Sequence, residues 1–254
     1  MIVLGANWGS VVELFRGLNP GCRRLLVQIQ TIPGAFRLKW PLLGDRNPCL
    51  DVPGQWLSRY VFPPGWCSFL AIPSALRLAR LVERDCRRLG MHNPVLCVIH
   101  PHKYWRAVAR RIQPGHIIYN CVDDYRAMWP ARAGAIEKEE DMIVNRADLV
   151  VCTSKYMVDE LKRRNPGCRG KMVHLPNGTR IDFLVANPLD APDPLPLDAG
   201  AVRRPVLGYL GNIEGRIDWP LVERLAQVFP DVSILFIGPE PKPGSDDERR
   251  LRDL

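Results

Sequence analysis

Nowhere in these 254 residues does an uninterrupted apolar run approach the roughly 20 residues that a membrane-spanning helix needs. The amino terminus also lacks a basic-then-apolar leader pattern, and both absences point to a chain that stays in the cytoplasm. Cys22, Cys49, Cys67, Cys86, Cys97, Cys121, Cys152 and Cys168 are scattered, with no C-x-x-C pair, which argues against zinc and for reduced thiols. Cys97 and Cys152 lie inside apolar runs, where cysteine behaves as a small hydrophobe. The G-x-G-x-x-G fingerprint is missing, and so is a convincing ribose-binding acid, so a nicotinamide oxidoreductase fits poorly. There is no internal repeat.

What is present is a 46% hydrophobic chain, enough for one sizeable core or two smaller α/β domains. A formal charge of +8 favours acidic partners such as phosphates, anionic lipid or nucleic acid. Short apolar β-forming runs at 2–4, 25–28, 95–99, 116–121, 149–152 and 171–175 alternate with helix-like segments. That alternation predicts a parallel sheet covered on both faces, hence a Rossmann-like domain over residues 1–186.

Within it, Ala75, Leu78, Val82, Cys86 and Leu89 recur at helical spacing, with Arg77, Arg80, Arg84 and Arg88 on another face. This is a basic amphipathic helix, suited to a core face or to contact with an anionic membrane. The aromatic stretch before it, with Trp56, Tyr60, Phe62, Trp66 and Phe69, reads as a loop because Pro63, Pro64 and Pro73 interrupt it. Pro188, Pro192, Pro194, Pro196 and Pro205, interleaved with aspartates, mark a linker over 187–204. A second α/β start follows over 205–254, too short for an independent core and thus expected to be incomplete.

Asp123 and Asp124 follow the strand at 117–122 and so fall at its carboxyl end, where open α/β sheets place ligands. Neighbouring side chains on extended backbone point opposite ways, so at most one would face a crevice, as a general base or as a loop or cap acid. Glu140 lies on the apolar stripe of the helix at 134–146 and needs either a buried donor or a site to serve. Ser154 is placed to cap the next helix, or to face the crevice. His100 and His102 bring two imidazoles near the same edge without a third metal ligand at any usual spacing. In the second unit, a glycine-bearing turn with Gly211, Asn212 and Arg216 offers amides and one cation to a pyrophosphate.

In order, Tyr119-Asn120-Cys121-Val122-Asp123-Asp124-Tyr125, Glu139-Glu140, Ala147-Asp148-Leu149-Val150-Val151-Cys152-Thr153-Ser154, Leu175-Pro176-Asn177-Gly178 with Phe183, Gly208-Tyr209-Leu210-Gly211 through Arg216-Ile217-Asp218, and Phe236-Ile237-Gly238-Pro239 resemble the group 1 glycosyltransferases of bacterial polysaccharide synthesis. The resemblance implies a GT-B fold of two Rossmann-like domains. The first would hold a glycan or lipid-linked acceptor, and the second a nucleotide-sugar donor. It places Asn177 and Gly178 at the cleft, Gly211, Asn212, Arg216 and Gly238 along the donor site, and Asp123 or Asp124 as base or acceptor-positioning group. It implies no metal; no other cofactor and no nucleic-acid partner is expected, and the basic amphipathic helix offers a peripheral contact at the inner face of a membrane. Two departures stand out: the later acidic E-x7-E-like region of the family is missing, and residues 30–66 match no family feature. A truncated non-catalytic homologue, or half of a split enzyme, is the alternative expectation.

Overall fold

The computed structural model describes residues 1–5, 21–31, 45–48, 55–62, 71–178, 202–215 and 217–254. The chain divides into two compact units, Met1–Thr179 and Arg180–Leu254. The proline-rich segment at 187–204 falls almost wholly outside the described residues, as does Arg216.

The first unit is built on an eight-stranded sheet in the order β3-β4-β2-β1-β5-β6-β7-β8. Its strands are β1 (Ile2–Leu4), β2 (Arg24–Thr31), β3 (Asp45–Pro48), β4 (Gln55–Phe62), β5 (Val95–Val98), β6 (His116–Cys121), β7 (Leu149–Cys152) and β8 (Met172–His174). All pair in parallel except the edge strand β3, which runs antiparallel to β4. Strands buried on both faces need apolar residues at every position, and Ile2, Val3, Leu4, Leu25, Leu26, Val27, Leu96, Cys97 and Val98 supply them without alternation. One face packs Leu78, Val82, Val108, Ile143, Val144 and Leu161 against the sheet. On the other, Val3, Leu26, Leu57, Cys97 and Ile99 form a second cluster. The six cysteines among the described residues are free thiols, Cys97 and Cys152 being core-filling ones.

The helices are α1 (Ala71–Arg88), α2 (Tyr104–Ile112), the single turn α3 (Tyr125–Met128), α4 (Ala133–Arg146) and α5 (Lys155–Arg164). On α1, Leu78, Val82 and Cys86 are buried while Arg77, Arg80, Arg84 and Arg88 face out, as the spacing requires. The loop expected over the aromatic stretch is not what forms. Gln55–Phe62 is the strand β4, with Leu57 and Tyr60 in the core. The prolines do not oppose this, because Pro63 and Pro64 follow the strand and Pro73 lies in the first turn of α1, where a missing N–H costs nothing. Two polar side chains of β4 have a buried partner: Ser58 Oγ and the Tyr60 hydroxyl donate to Asp85 Oδ2 of α1 at 2.9 and 2.6 Å. This wiring replaces an apolar run and hides the strand from a hydrophobicity reading.

The second unit contains β9 (Val206–Leu210), α6 (Trp219–Val228), β10 (Ser233–Ile237) and α7 (Asp246–Asp253). β9 and β10 pair in parallel. Asp218 caps α6 by accepting from the Leu221 N–H, and Ser245 caps α7 by accepting from Glu248 N–H. Trp219 is buried against Phe236, its indole N–H bonded to Asp247 at 2.7 Å. Val206, Leu207, Leu221, Phe229 and Ile237 are nonetheless exposed, and Leu210 is 82% exposed. Open strand edges and uncovered apolar faces promote association. Light scattering on a gel-filtration column should therefore show species heavier than the 28.8 kDa monomer, growing with concentration. A single 28.8 kDa species at all concentrations would contradict this expectation.

Candidate functional site

Because the strands are parallel, their carboxyl ends share one edge of the sheet. From β1 the chain turns to β2 and β4 on one side, and from β5 onward it builds β6, β7 and β8 on the other. The order reverses between β1 and β5, and ligands of open α/β sheets lie at such a reversal, beyond the carboxyl ends. The two residues that emerge there are Gly5 and His100. The ladder continues into both turns, with Gly5 N–H bonded to Val27 O at 3.1 Å and Ile99 N–H to Leu4 O at 3.0 Å.

Gly5 has φ +90°, and a Cβ there would meet His100 Cδ2 at 3.1 Å and His100 N at 3.3 Å. Glycine thus allows the first turn to adopt left-handed backbone and lets the imidazole lie against it. Gly5→Ala is expected to destabilise the unit by about 1–2 kcal/mol from the positive φ alone. Urea denaturation measures it, and an unchanged midpoint would refute the assignment.

His100 packs its ring on Tyr125 at 4.5 Å, and Tyr125 stacks nearly parallel on Trp129 at 5.8 Å with a 6° interplanar angle. Burial lowers the His100 pKa below its usual 6.5, opposed in part by the negative charge of Asp123. The ring is therefore neutral near pH 7, able to accept and donate one hydrogen bond each.

Adjacent in sequence, Asp123 and Asp124 have different duties. The Asp124 side chain caps α3, accepting from the Arg126 and Ala127 N–H groups at 3.1 and 3.3 Å, and pairs with the Arg126 guanidinium. Arg126 in turn binds Glu137 of α4 at 3.0 Å and Glu160 of α5 at 2.8 Å, fixing the α3 turn to two long helices. Asp123 is exposed, and its charge reaches both His100 and Tyr125. Of the two carboxylates, only Asp123 is presented at the strand edge without a capping role.

The remaining candidates divide likewise. Ser154 Oγ accepts from Met157 N–H at 3.2 Å and so caps α5, while neighbouring Thr153 ties β7 to β6 through its hydroxyl and Val122 O at 2.9 Å. His102 sets its ring at a 54° tilt against Tyr104, centroids 4.0 Å apart, and accepts the Tyr104 N–H through Nδ1; desolvation, and then the charge of neighbouring His100, bring its pKa down to about 4. Among the described residues no three His, Cys, Asp or Glu side chains are grouped as metal ligands would be. Asn177 and Gly178 extend past β8 at the same edge and are exposed.

Glu140 requires a correction. It is 1% exposed and lies in the core rather than in a cleft, accepting from the Tyr119 hydroxyl at 2.7 Å and paired with Arg164. Burial holds the Tyr119 phenol in its neutral, donating form, its pKa raised well above the usual value. On the outer side of the same helix, Gly134, Glu137, Lys138, Asp141, Met142, Asn145 and Arg146 line a shallow groove of about 590 Å³. That groove is a surface of one helix, lined by charged and amide side chains.

In the second unit Gly211 and Gly238 end the paired strands. A Cβ on Gly238 would fall 1.8 Å from Gly211 O, so the close backbone approach alone demands glycine there. Asn212 lies in the turn, its carbonyl accepting from the Tyr209 hydroxyl at 3.0 Å. Arg216 lies outside the described residues.

A parallel sheet whose strand order reverses between β1 and β5, followed by a smaller parallel α/β unit, has the architecture of the GT-B fold. The chain is similar to proteins of that fold in structure along nearly all of its length. The Anabaena protein Alr3699/HepE, solved in complex with UDP and glucose, superposes with a TM-score of 0.64 at 16% identity, covering 99% of this chain and 64% of that one. A UDP-forming α,α-trehalose-phosphate synthase from Burkholderia vietnamiensis superposes with a TM-score of 0.59 at 10% identity, over 99% of this chain and 66% of that one. In sequence, the chain is 29% identical over 136 residues to TuaH of Bacillus subtilis (strain 168), whose name assigns it as a glycosyltransferase to teichuronic acid biosynthesis. The match covers 50% of this chain and 34% of that protein. No protein-family model matches. The chain thus spans about a third of this curated relative and just under two thirds of the solved structures.

Proposed function

We propose that this protein contributes the acceptor side of a glycosyltransferase that moves a sugar from a nucleotide-sugar to a glycan or lipid-linked acceptor in polysaccharide synthesis. The observation that carries the reading is the contact of Gly5 with His100 at the strand-order reversal of a GT-B-type sheet, with the exposed Asp123 carboxylate at the end of the next strand but one from β1 acting electrostatically on His100. There the acceptor hydroxyl oxygen bonds to the anomeric carbon of the donor sugar, and the bond from that carbon to the diphosphate breaks. The nucleoside diphosphate leaves with the electron pair. Asp123 takes the hydroxyl proton, and neutral His100 hydrogen-bonds the same hydroxyl to orient it. Taken by itself, the second unit offers the turn after β9, at Gly211 and Asn212, as a contact for a nucleotide-sugar diphosphate, a role that needs no metal.

For a lipid-linked acceptor, α1 suits a peripheral contact. Ile72 is 73% exposed and Leu76 half-exposed at its amino-terminal end, with Arg77, Arg80 and Arg84 along the same outward side. The chain enters α1 after β4, so this apolar tip follows the carboxyl ends of the strands. No helix among the described residues is long and apolar enough to cross a membrane.

The test is transfer of radiolabel from UDP-, GDP- and dTDP-sugars into membrane lipid and polysaccharide fractions. It would be run with the chain alone and with the chain joined to the part of HepE that it does not span. Incorporation from at least one donor supports the reading. Absence of transfer from every donor in both forms would overturn it.

A further inference from the structure

The stacked aromatic pair beside His100 has no part in the proton transfer, yet it is built with care. Tyr125 is 2% exposed and Trp129 is 44% exposed, so the indole carries the solvent-facing surface of the group. The rings of His100, Tyr125 and Trp129 form a triangular cluster, with centroids 4.5 Å (His100–Tyr125), 5.8 Å (Tyr125–Trp129) and 6.4 Å (His100–Trp129) apart. Its geometry is fixed from below. Trp129 N–H bonds to Tyr125 O at 3.2 Å, Met128 N–H bonds to Asp124 O at 3.1 Å, and Arg126 ties the turn to Glu137 and Glu160. An exposed aromatic face held rigidly costs no ordering when a ligand lands on it.

We propose that Trp129 is the platform of an acceptor subsite that takes a neutral pyranose ring by its C–H face. An aromatic face carries negative quadrupole charge and attracts the weakly positive axial C–H groups of a sugar, while the ring hydroxyls stay free for His100 and solvent. Charge decides between a sugar and the donor's diphosphate: the Asp123 carboxylate, close enough to act on both His100 and Tyr125, repels a pyrophosphate and tolerates a polyol. The proposal rests on the glycosyltransferase reading for the word acceptor, but its binding chemistry stands on the aromatic cluster itself.

Saturation-transfer NMR on the full chain tests it, with methyl α- and β-glucoside, methyl galactoside and methyl N-acetylglucosaminide as probes and uridine as a parallel arm. Saturation should reach the axial ring protons of at least one pyranoside in the parent protein. It should survive in Trp129→Phe and weaken in Trp129→Ala by about 2- to 12-fold in affinity, the worth of one aromatic contact. Thermal unfolding of each variant checks that the fold is kept. No saturation of any pyranoside by the parent, equal saturation in Trp129→Ala, or a Trp129-dependent signal on uridine alone would each overturn the proposal. Label transfer from nucleotide-sugars in the assay above, persisting despite such a result, would leave the glycosyltransferase reading standing while this subsite falls.

Discussion

Asp123→Asn is expected to slow sugar transfer about 100- to 10,000-fold, the usual cost of losing a positioned general base. Asp124→Asn is expected to act differently, because the Asp124 oxygens already accept two backbone N–H groups and pair with Arg126. An amide keeps one capping oxygen and loses the ion pair, so its effect should appear first in stability, about 0.5–2 kcal/mol for a weakened cap. The comparison is made in the chain joined to the unspanned part of HepE, by initial rates of label incorporation alongside urea denaturation. Equal rates for Asp123→Asn and its parent would eliminate Asp123 as the base. A rate loss confined to Asp124→Asn would transfer the role to its neighbour. Because burial lowers the His100 pKa from its usual 6.5, the loss of rate that follows its protonation should set in at a lower pH than for an unperturbed imidazole.

Glu140→Leu is expected to destabilise the first unit by about 3–5 kcal/mol, as breaking one partner of a buried ion pair does. The substitution removes the most buried of the three carboxylates around Arg164, whose side chain is only 7% exposed, and strands the Tyr119 hydroxyl. Asp141 at 2.7 Å and Glu160 at 3.5 Å from the same guanidinium limit the loss without cancelling it. Glu140→Leu combined with Arg164→Met should cost less than Glu140→Leu alone, since no charge is then left buried. Urea midpoints of the parent, the single variant and the double variant decide the matter. A single variant within about 0.5 kcal/mol of the parent, the range of ordinary surface changes, would show that the pair is not the buried one described.

Much of the sheet was legible because its physics is local. Strands covered on both faces must be apolar throughout, and the runs at 2–4, 116–121 and 149–152 match β1, β6 and β7 residue for residue. β4 escaped because its inward side chains Ser58 and Tyr60 are satisfied by Asp85, a partner 25 to 27 residues away that no window can see. Glu140 was recognisable as anomalous from its position on an apolar stripe, though only the fold shows that Arg164 answers it. The division of labour between Asp123 and Asp124 was beyond reach, since it depends on where the α3 turn begins. Gly5 offered the signal of a glycine closing the first strand, but its meaning comes from His100, brought beside it by the pairing of β1 with β5. Trp129 had no periodic signature at all.

The central place of β1 also governs how this chain must assemble. Ile2 pairs with Leu96, 94 residues further along, so β1, once synthesised, waits for β5 before its second edge is closed. At about 5–20 residues per second, that interval lasts roughly 5–20 s. During it, an apolar parallel strand has only β2 and its own neighbourhood for company, and closure of so distant a contact is slow in any case. Folding rate and early chaperone dependence should accordingly respond most to changes in the β1–β5 seam.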